Sequence, residues 1–103
     1  MARKLWFRFS WDERKNLANR RKHGVSFEAA TRIFRDRFVI FEQDREVDGE
    51  PRWQAIGKTS GTLLLVAHSY EQDEDEERIH IISARQATPG EEEAYYAQFV
   101  AGR

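Results

Sequence analysis

The chain has no cysteine, two prolines, one methionine and six glycines among its 103 residues. The missing cysteines exclude a disulfide framework, a thiol nucleophile, a zinc finger and an iron–sulfur cluster. Long apolar runs are missing too. The longest, Leu63 to Ala67, is about a quarter of what a membrane span requires, so no membrane association is expected. The first residues, Met1-Ala2-Arg3-Lys4-Leu5-Trp6-Phe7, are basic but carry neither the apolar stretch nor the cleavage site of a signal peptide, and a cytoplasmic location is expected. No repeat and no linker is visible, so residues 1–103 are read as one domain. What is present is 40% hydrophobic, 13% aromatic and 34% charged residues, the composition of a small folded protein with a heavily ionised surface.

The net charge of −1 conceals a segregation. Residues 1–37 hold eleven Lys/Arg against four acids, and residues 38–103 hold six against fourteen. Six of those acids fall in the heptapeptide Glu71-Gln72-Asp73-Glu74-Asp75-Glu76-Glu77, which repels itself and is read as a solvated loop. The rest of the domain is then basic, which favours a polyanionic partner such as nucleic acid.

Leu5 to Trp11 alternates like a strand. Ser10-Trp11-Asp12-Glu13 has capping-box spacing, with Ser10 as the cap of a helix over about residues 12–22. That helix is almost wholly polar, with Leu17 and Ala18 as its apolar seam and Gly24 as its stop. Ser26 opens a second helix that buries Phe27, Ala30, Ile33 and Phe34. Strands follow at 38–42, 52–58, 62–70 and 77–85. Thr59-Ser60-Gly61 forms one turn, the acidic heptapeptide another, and residues 43–51 a loop. Thr88-Pro89-Gly90-Glu91 starts a final helix that covers the sheet with Tyr95, Tyr96, Phe99 and Val100. The expected fold is α+β, an antiparallel sheet with two N-terminal helices and a C-terminal helix.

Three histidines are candidates for acid–base chemistry. His23 ends the basic helix and reads equally as a cap. His68 and His80 fall on neighbouring strands, either as a cross-strand pair or in half-exposed structural roles. No metal site is expected, because no histidines have helical ligand spacing and the acidic cluster is not preorganised. Neither a Gly-rich phosphate loop nor a Gly-x-Ser-x-Gly elbow occurs. Arg52, Arg78 and Arg85 lie at strand ends, where a guanidinium can meet a phosphate in bidentate fashion. Strict alternation puts Arg78 and Arg85 on opposite faces, so they share a face only if a bulge intervenes. These residues alone leave two readings open, a nuclease and a non-catalytic module that binds nucleic acid or protein.

Several stretches resemble the BrnT family, the toxin half of a bacterial type II toxin–antitoxin pair. The likeness runs through Trp11-Asp12, Lys15, Asn19, Lys22-His23-Gly24-Val25-Ser26-Phe27, Glu28, Ala30 and Phe34-x-Asp36. It continues with Gly49-Glu50-x-Arg52, Ile56-Gly57, Arg78-Ile79-x-Ile81-Ile82-Ser83-Ala84-Arg85-x-Ala87-Thr88, Glu91 and Tyr95. It implies a RelE-like fold and an RNA endonuclease that inhibits translation with neither metal nor other cofactor. It also implies neutralisation by a ribbon-helix-helix antitoxin of the BrnA type, in a complex that reaches operator DNA through the antitoxin. Carried over by position, the family's functional residues fall on Lys22, His23, Arg52, Arg78 and Arg85, with Glu50 and Tyr95 as further candidates. Arg52, Arg78 and Arg85 are then expected to stabilise phosphoryl charge, and His23 or Glu50 to act as base. Lys15, Arg21, Lys22 and Tyr95 are expected to contact RNA. Glu92 and Glu93, where relatives carry basic residues, together with the acidic loop before Arg78, either direct RNA to the basic N-terminal side or face the antitoxin.

Overall fold

The computed structural model describes residues 6–101. Leu5, where the first strand is expected to begin, and the basic Arg3 and Lys4 lie outside the described residues. The order is strand β1 (Trp6–Ser10), helix α1 (Glu13–His23), helix α2 (Phe27–Thr31), a 3-10 turn (Arg32–Arg35), strands β2 (Ile40–Val47), β3 (Glu50–Thr59), β4 (Thr62–Gln72) and β5 (Glu76–Gln86), and helix α3 (Pro89–Ala101). The α+β class holds, but the sheet is mixed rather than antiparallel. Its strand order is β1-β5-β4-β3-β2, and β1 runs parallel to β5. The second helix also differs from the expected single element, because after five residues it tightens into the 3-10 turn. No described helix is long and apolar enough to cross a membrane.

Ser10 does not cap α1. It ends β1, and Asp12 takes the cap position, accepting from the Arg14 N–H at 2.8 Å. Glu13, the expected capping-box partner, instead accepts from the Trp11 indole and from Asn16. The expected apolar seam is also overturned, since Leu17 is 45% exposed while Asn16 and Asn19 are buried. The reason is the open edge of β5. The pairing with β1 extends only to His80, and beyond it Asn19 stands in for a neighbouring strand. Its amide donates to the Ala84 carbonyl at 2.7 Å and accepts from the Ala84 N–H at 3.2 Å. Asn16 accepts from the Phe27 N–H and so fixes the start of α2. A buried backbone group without a partner costs about 1–3 kcal/mol, so two polar side chains here stabilise more than the same volume of hydrocarbon would.

The acidic heptapeptide is not a loose loop. β4 continues through Gln72 and β5 starts at Glu76, which leaves a tight turn closed by the Asp73 N–H donating to the Glu76 carbonyl. The expected loop 43–51 is likewise mostly strand, with β2 and β3 meeting at Asp48-Gly49, both at positive φ. At Thr88 the capping box forms as its spacing predicts, with Thr88 and Glu91 exchanging side-chain-to-backbone hydrogen bonds.

Two apolar clusters sandwich the sheet. One joins Phe27, Ala30, Ile33 and Phe34 to Ala55, Leu64, Val66, Ile79, Ile81 and Ala84. The other joins Tyr95 and Ala87 to Ile56, Leu63 and Leu65 on the opposite face, under α3. Ile79, Ile81 and Ala84 share a face although 81 and 84 are three apart. The β4–β5 register explains this, because it steps from Ala67 opposite Ser83 to His68 opposite Ile81 and leaves Ile82 as a bulge.

Candidate active site

α3 covers only part of its face of the sheet. On the uncovered part the register assembles a polar hollow of about 460 Å³, lined by Arg52, Glu50, Arg78, His80 and Lys15 together with Ser10, Ser69, Glu71 and Ile82. Ser10 and Ser69 lie opposite His80 on its two neighbouring strands, and Glu71 lies opposite Arg78 one step along. Arg52 and Glu50 come from the first half of β3. Lys15 comes from α1, which leaves β1 beside the hollow. The grouping therefore depends on β1 pairing in parallel with β5, which carries the start of α1 to this place.

The two arginines of the hollow are held by acids of the same chain. Arg78 meets Asp73 at 2.8 Å and both Glu71 and Glu76 at 3.7 Å. Arg52 meets Glu50 at 3.4 Å, and its Nε is buried without a hydrogen-bond partner among the described residues. His80 Nδ1 lies 2.9 Å from Ser10 Oγ. These groups suit an anion with several oxygens. Two guanidinium groups and an ammonium are available to it, beside a carboxylate and an imidazole able to move protons.

The remaining sequence candidates lie elsewhere. The bulge at Ile82 places Arg85 on the same face as Arg78, which corrects strict alternation. Seven residues nevertheless separate them, roughly 20 Å of strand. Arg85 is engaged with Glu91 in a bidentate pair at 2.8 and 2.9 Å. The hydrogen bond from Arg85 holds the Glu91 carboxyl down at about 2 and raises the guanidinium in turn. Tyr95 is 3% exposed and donates to Asp36 at 2.5 Å. Burial, with the Asp36 carboxylate beside it, pushes its hydroxyl up to about 12, so Tyr95 links α3 to the body of the fold. Asp36 completes that link by accepting from the backbone N–H groups of Phe38 and Lys58. Partial burial raises its carboxyl, and the hydrogen bonds from Tyr95, Phe38 and Lys58 more than offset that, leaving it below the usual carboxylate range.

Arg21, Lys22 and His23 are exposed in the last turn of α1 and do not line the hollow. Lys22 is two helical turns from Lys15 on the same stripe, about 10 Å further along. His68 is neither half-exposed nor paired with His80. It is 2% exposed against Phe34 and Phe41 on the other face, and burial lowers its pKa. Alternation already places His80 with Arg78 and Ile82. The absent signal is the parallel pairing, a long-range contact, which brings in Ser10 and Lys15. Among the described residues no group of three or more His, Cys, Asp or Glu side chains is arranged to hold a metal ion.

No curated protein matches the chain. Residues 11–91, most of the chain and four of the five strands of the sheet, match the family model described as ribonuclease toxin, BrnT, of type II toxin–antitoxin system. The protein therefore belongs to the BrnT family of ribonuclease toxins of type II toxin–antitoxin systems.

Proposed function

We propose that the protein is an endoribonuclease that cuts RNA by turning its own 2′-hydroxyl against the adjacent phosphorus, without a metal ion. The observation that carries this reading is the convergence of Arg52 and Arg78 with Lys15 and Glu50 in one hollow. Charge accumulates on the phosphoryl oxygens as the 2′-oxygen attacks. Preorganised guanidinium donors are worth most at that moment, because they need no reorganisation. The orphaned Nε of Arg52 is a donor that a phosphoryl oxygen would satisfy. Glu50 is the candidate base for the 2′-hydroxyl, and its ion pair with Arg52 keeps it next to the phosphate site. In this reading Arg85 acts through α3, and Lys15, Arg21 and Lys22 form a basic track leading away from the hollow.

Membership of a type II toxin family supports a protein antitoxin as partner. With it we propose a RelE-like toxin that arrests translation in the cytoplasm and is neutralised by a ribbon-helix-helix antitoxin of the BrnA type, whose complex with it reaches operator DNA through the antitoxin. Cleavage of a single-stranded RNA in excess chelator tests the core of the proposal. Arg52→Ala and Arg78→Ala are each expected to lower the rate on the order of 10²–10³-fold. Undiminished cutting by both would remove the hollow from consideration, and salt-sensitive binding without product would favour a non-catalytic module.

A further inference from the structure

His80 has no assigned part in the proposed reaction, yet it is the one imidazole in the hollow. Its ring lies in register between Ser69 and Ser10. The 2.9 Å contact between Nδ1 and Ser10 Oγ fixes the ring plane and engages one nitrogen. Nε2 makes no hydrogen bond among the described residues. Facing the ring are Lys15 from α1, Arg52 and Glu50 from β3, Glu71 from β4 and Arg78 from β5. Arg8, the charged residue of β1, is turned to Glu76 at 3.4 Å. A phosphodiester held between Arg52 and Arg78 would thus meet a carboxylate carried on β3 and an imidazole carried on β5.

We propose that His80 is the general acid of RNA cleavage, with Ser10 as its positioning residue; this rests on the reading of the hollow given above. The 2′-O–H bond breaks and its proton passes to Glu50 as the bond from O2′ to phosphorus forms. The bond from phosphorus to O5′ breaks, and O5′ takes the proton of His80 Nε2. The products are a 2′,3′-cyclic phosphate and a 5′-hydroxyl, and solvent restores the two protonation states. No oxidant, reductant or co-reactant is needed. A hydroxyl on Nδ1 serves such an acid because it holds one nitrogen in place while the other points at the leaving group.

The test compares two RNA oligonucleotides, one ordinary and one with sulfur replacing the bridging 5′-oxygen at the cleaved linkage. A thiolate leaves without a proton, so it does not need the acid. His80→Gln is expected to cut the ordinary RNA more slowly by on the order of 10²–10⁴-fold. It should bind a 2′-O-methyl copy as wild type does, and cut the sulfur-bridged RNA at close to the wild-type rate. Its rate profile should lose the fall toward high pH that a required general acid produces. Ser10→Ala should show a smaller loss with the same rescue, whereas Arg52→Ala and Arg78→Ala should be slow on both substrates. An equal deficit of His80→Gln on both RNAs, or no deficit on either, overturns the assignment of the acid while the arginine variants still report on the hollow. Undiminished cutting by the arginine variants, or no cutting by the wild type, overturns the underlying reading and this inference with it.

Discussion

At the scale of single residues, the Arg85–Glu91 pair separates a structural arginine from the two in the hollow. Both hydrogen bonds of the bidentate pair run to the carboxylate at the start of α3, and Glu91 also accepts from the Thr88 N–H. The negative charge therefore caps the helix and holds it to β5 at once. The Glu91 carboxyl stands at about 2 in the fold against an ordinary 4.5, so its contribution is complete above about pH 4.5 and is lost as the pH falls toward 2. Arg85 is 36% exposed, and after allowance for solvent screening the pair is worth about 1 kcal/mol. Glu91→Gln is accordingly expected to lower the denaturant midpoint at pH 7 and to leave it near the wild-type value at pH 2. His68 also acts on acidification, because burial lowers its pKa and the unfolded chain takes up a proton there first. The wild type and the Glu91 variant share that loss, so their difference isolates the pair. A gap as wide at pH 2 as at pH 7 would refute the role given to Glu91.

At the scale of elements, the seat of the 3-10 turn on β3 is set by one glycine. A Cβ on Gly57 would stand 2.8 Å from the Ile33 Cβ and 3.0 Å from the Ile33 carbonyl oxygen, so the turn packs there only because no side chain intervenes. Gly57→Ala is expected to destabilise the fold by about 1–3 kcal/mol through overpacking, read from the shift in thermal or denaturant midpoint. A neutral or stabilising outcome would mean that the turn gives way easily. This contact also marks where the sequence stops being legible. The helix starting at Ser26, the capping box at Thr88 and the stop at Gly24 can be read from residues a few positions apart, because local hydrogen bonds make them. Arg52 and Arg78 can be marked as candidates by chemistry and by the family likeness. The edge-capping Asn19 and the parallel β1 cannot be read this way, since each depends on partners more than sixty residues away, and the bulge at Ile82 cannot because it is set by the pairing with β4 rather than by its own neighbours. For the same reason Leu17 and Ala18 look like the seam of α1. Apolar periodicity identifies buried faces only where hydrocarbon lies opposite, and here the opposite surface is a bare strand edge.

At the scale of the whole molecule, the charge segregation becomes two surfaces flanking one hollow. The acidic turn between β4 and β5 occupies one end through Asp73 and Glu71, which hold Arg78. The exposed cations of α1 lead away from the other side, where Lys15 lines the hollow and Lys22 follows on the same stripe. A polyanion approaching the turn meets repulsion, and one approaching along α1 displaces counterions as it goes, so the strand should lie along α1. This can be measured with a 2′-O-methyl RNA, which binds without being cut. Each phosphate neutralised by a single-stranded ligand contributes about 0.7 to the slope of log K against log salt. Arg21→Ala together with Lys22→Ala should therefore reduce the slope by about 0.7–1.4, with weaker binding at low salt and wild-type affinity approached at high salt. Neutralising Asp73 and Glu71 should leave that slope unchanged and raise affinity, because it loosens the hold on Arg78 without removing a phosphate contact. If the α1 double variant keeps the full slope, the strand takes another route across the protein. The basic helix would then be a solvated surface rather than a track.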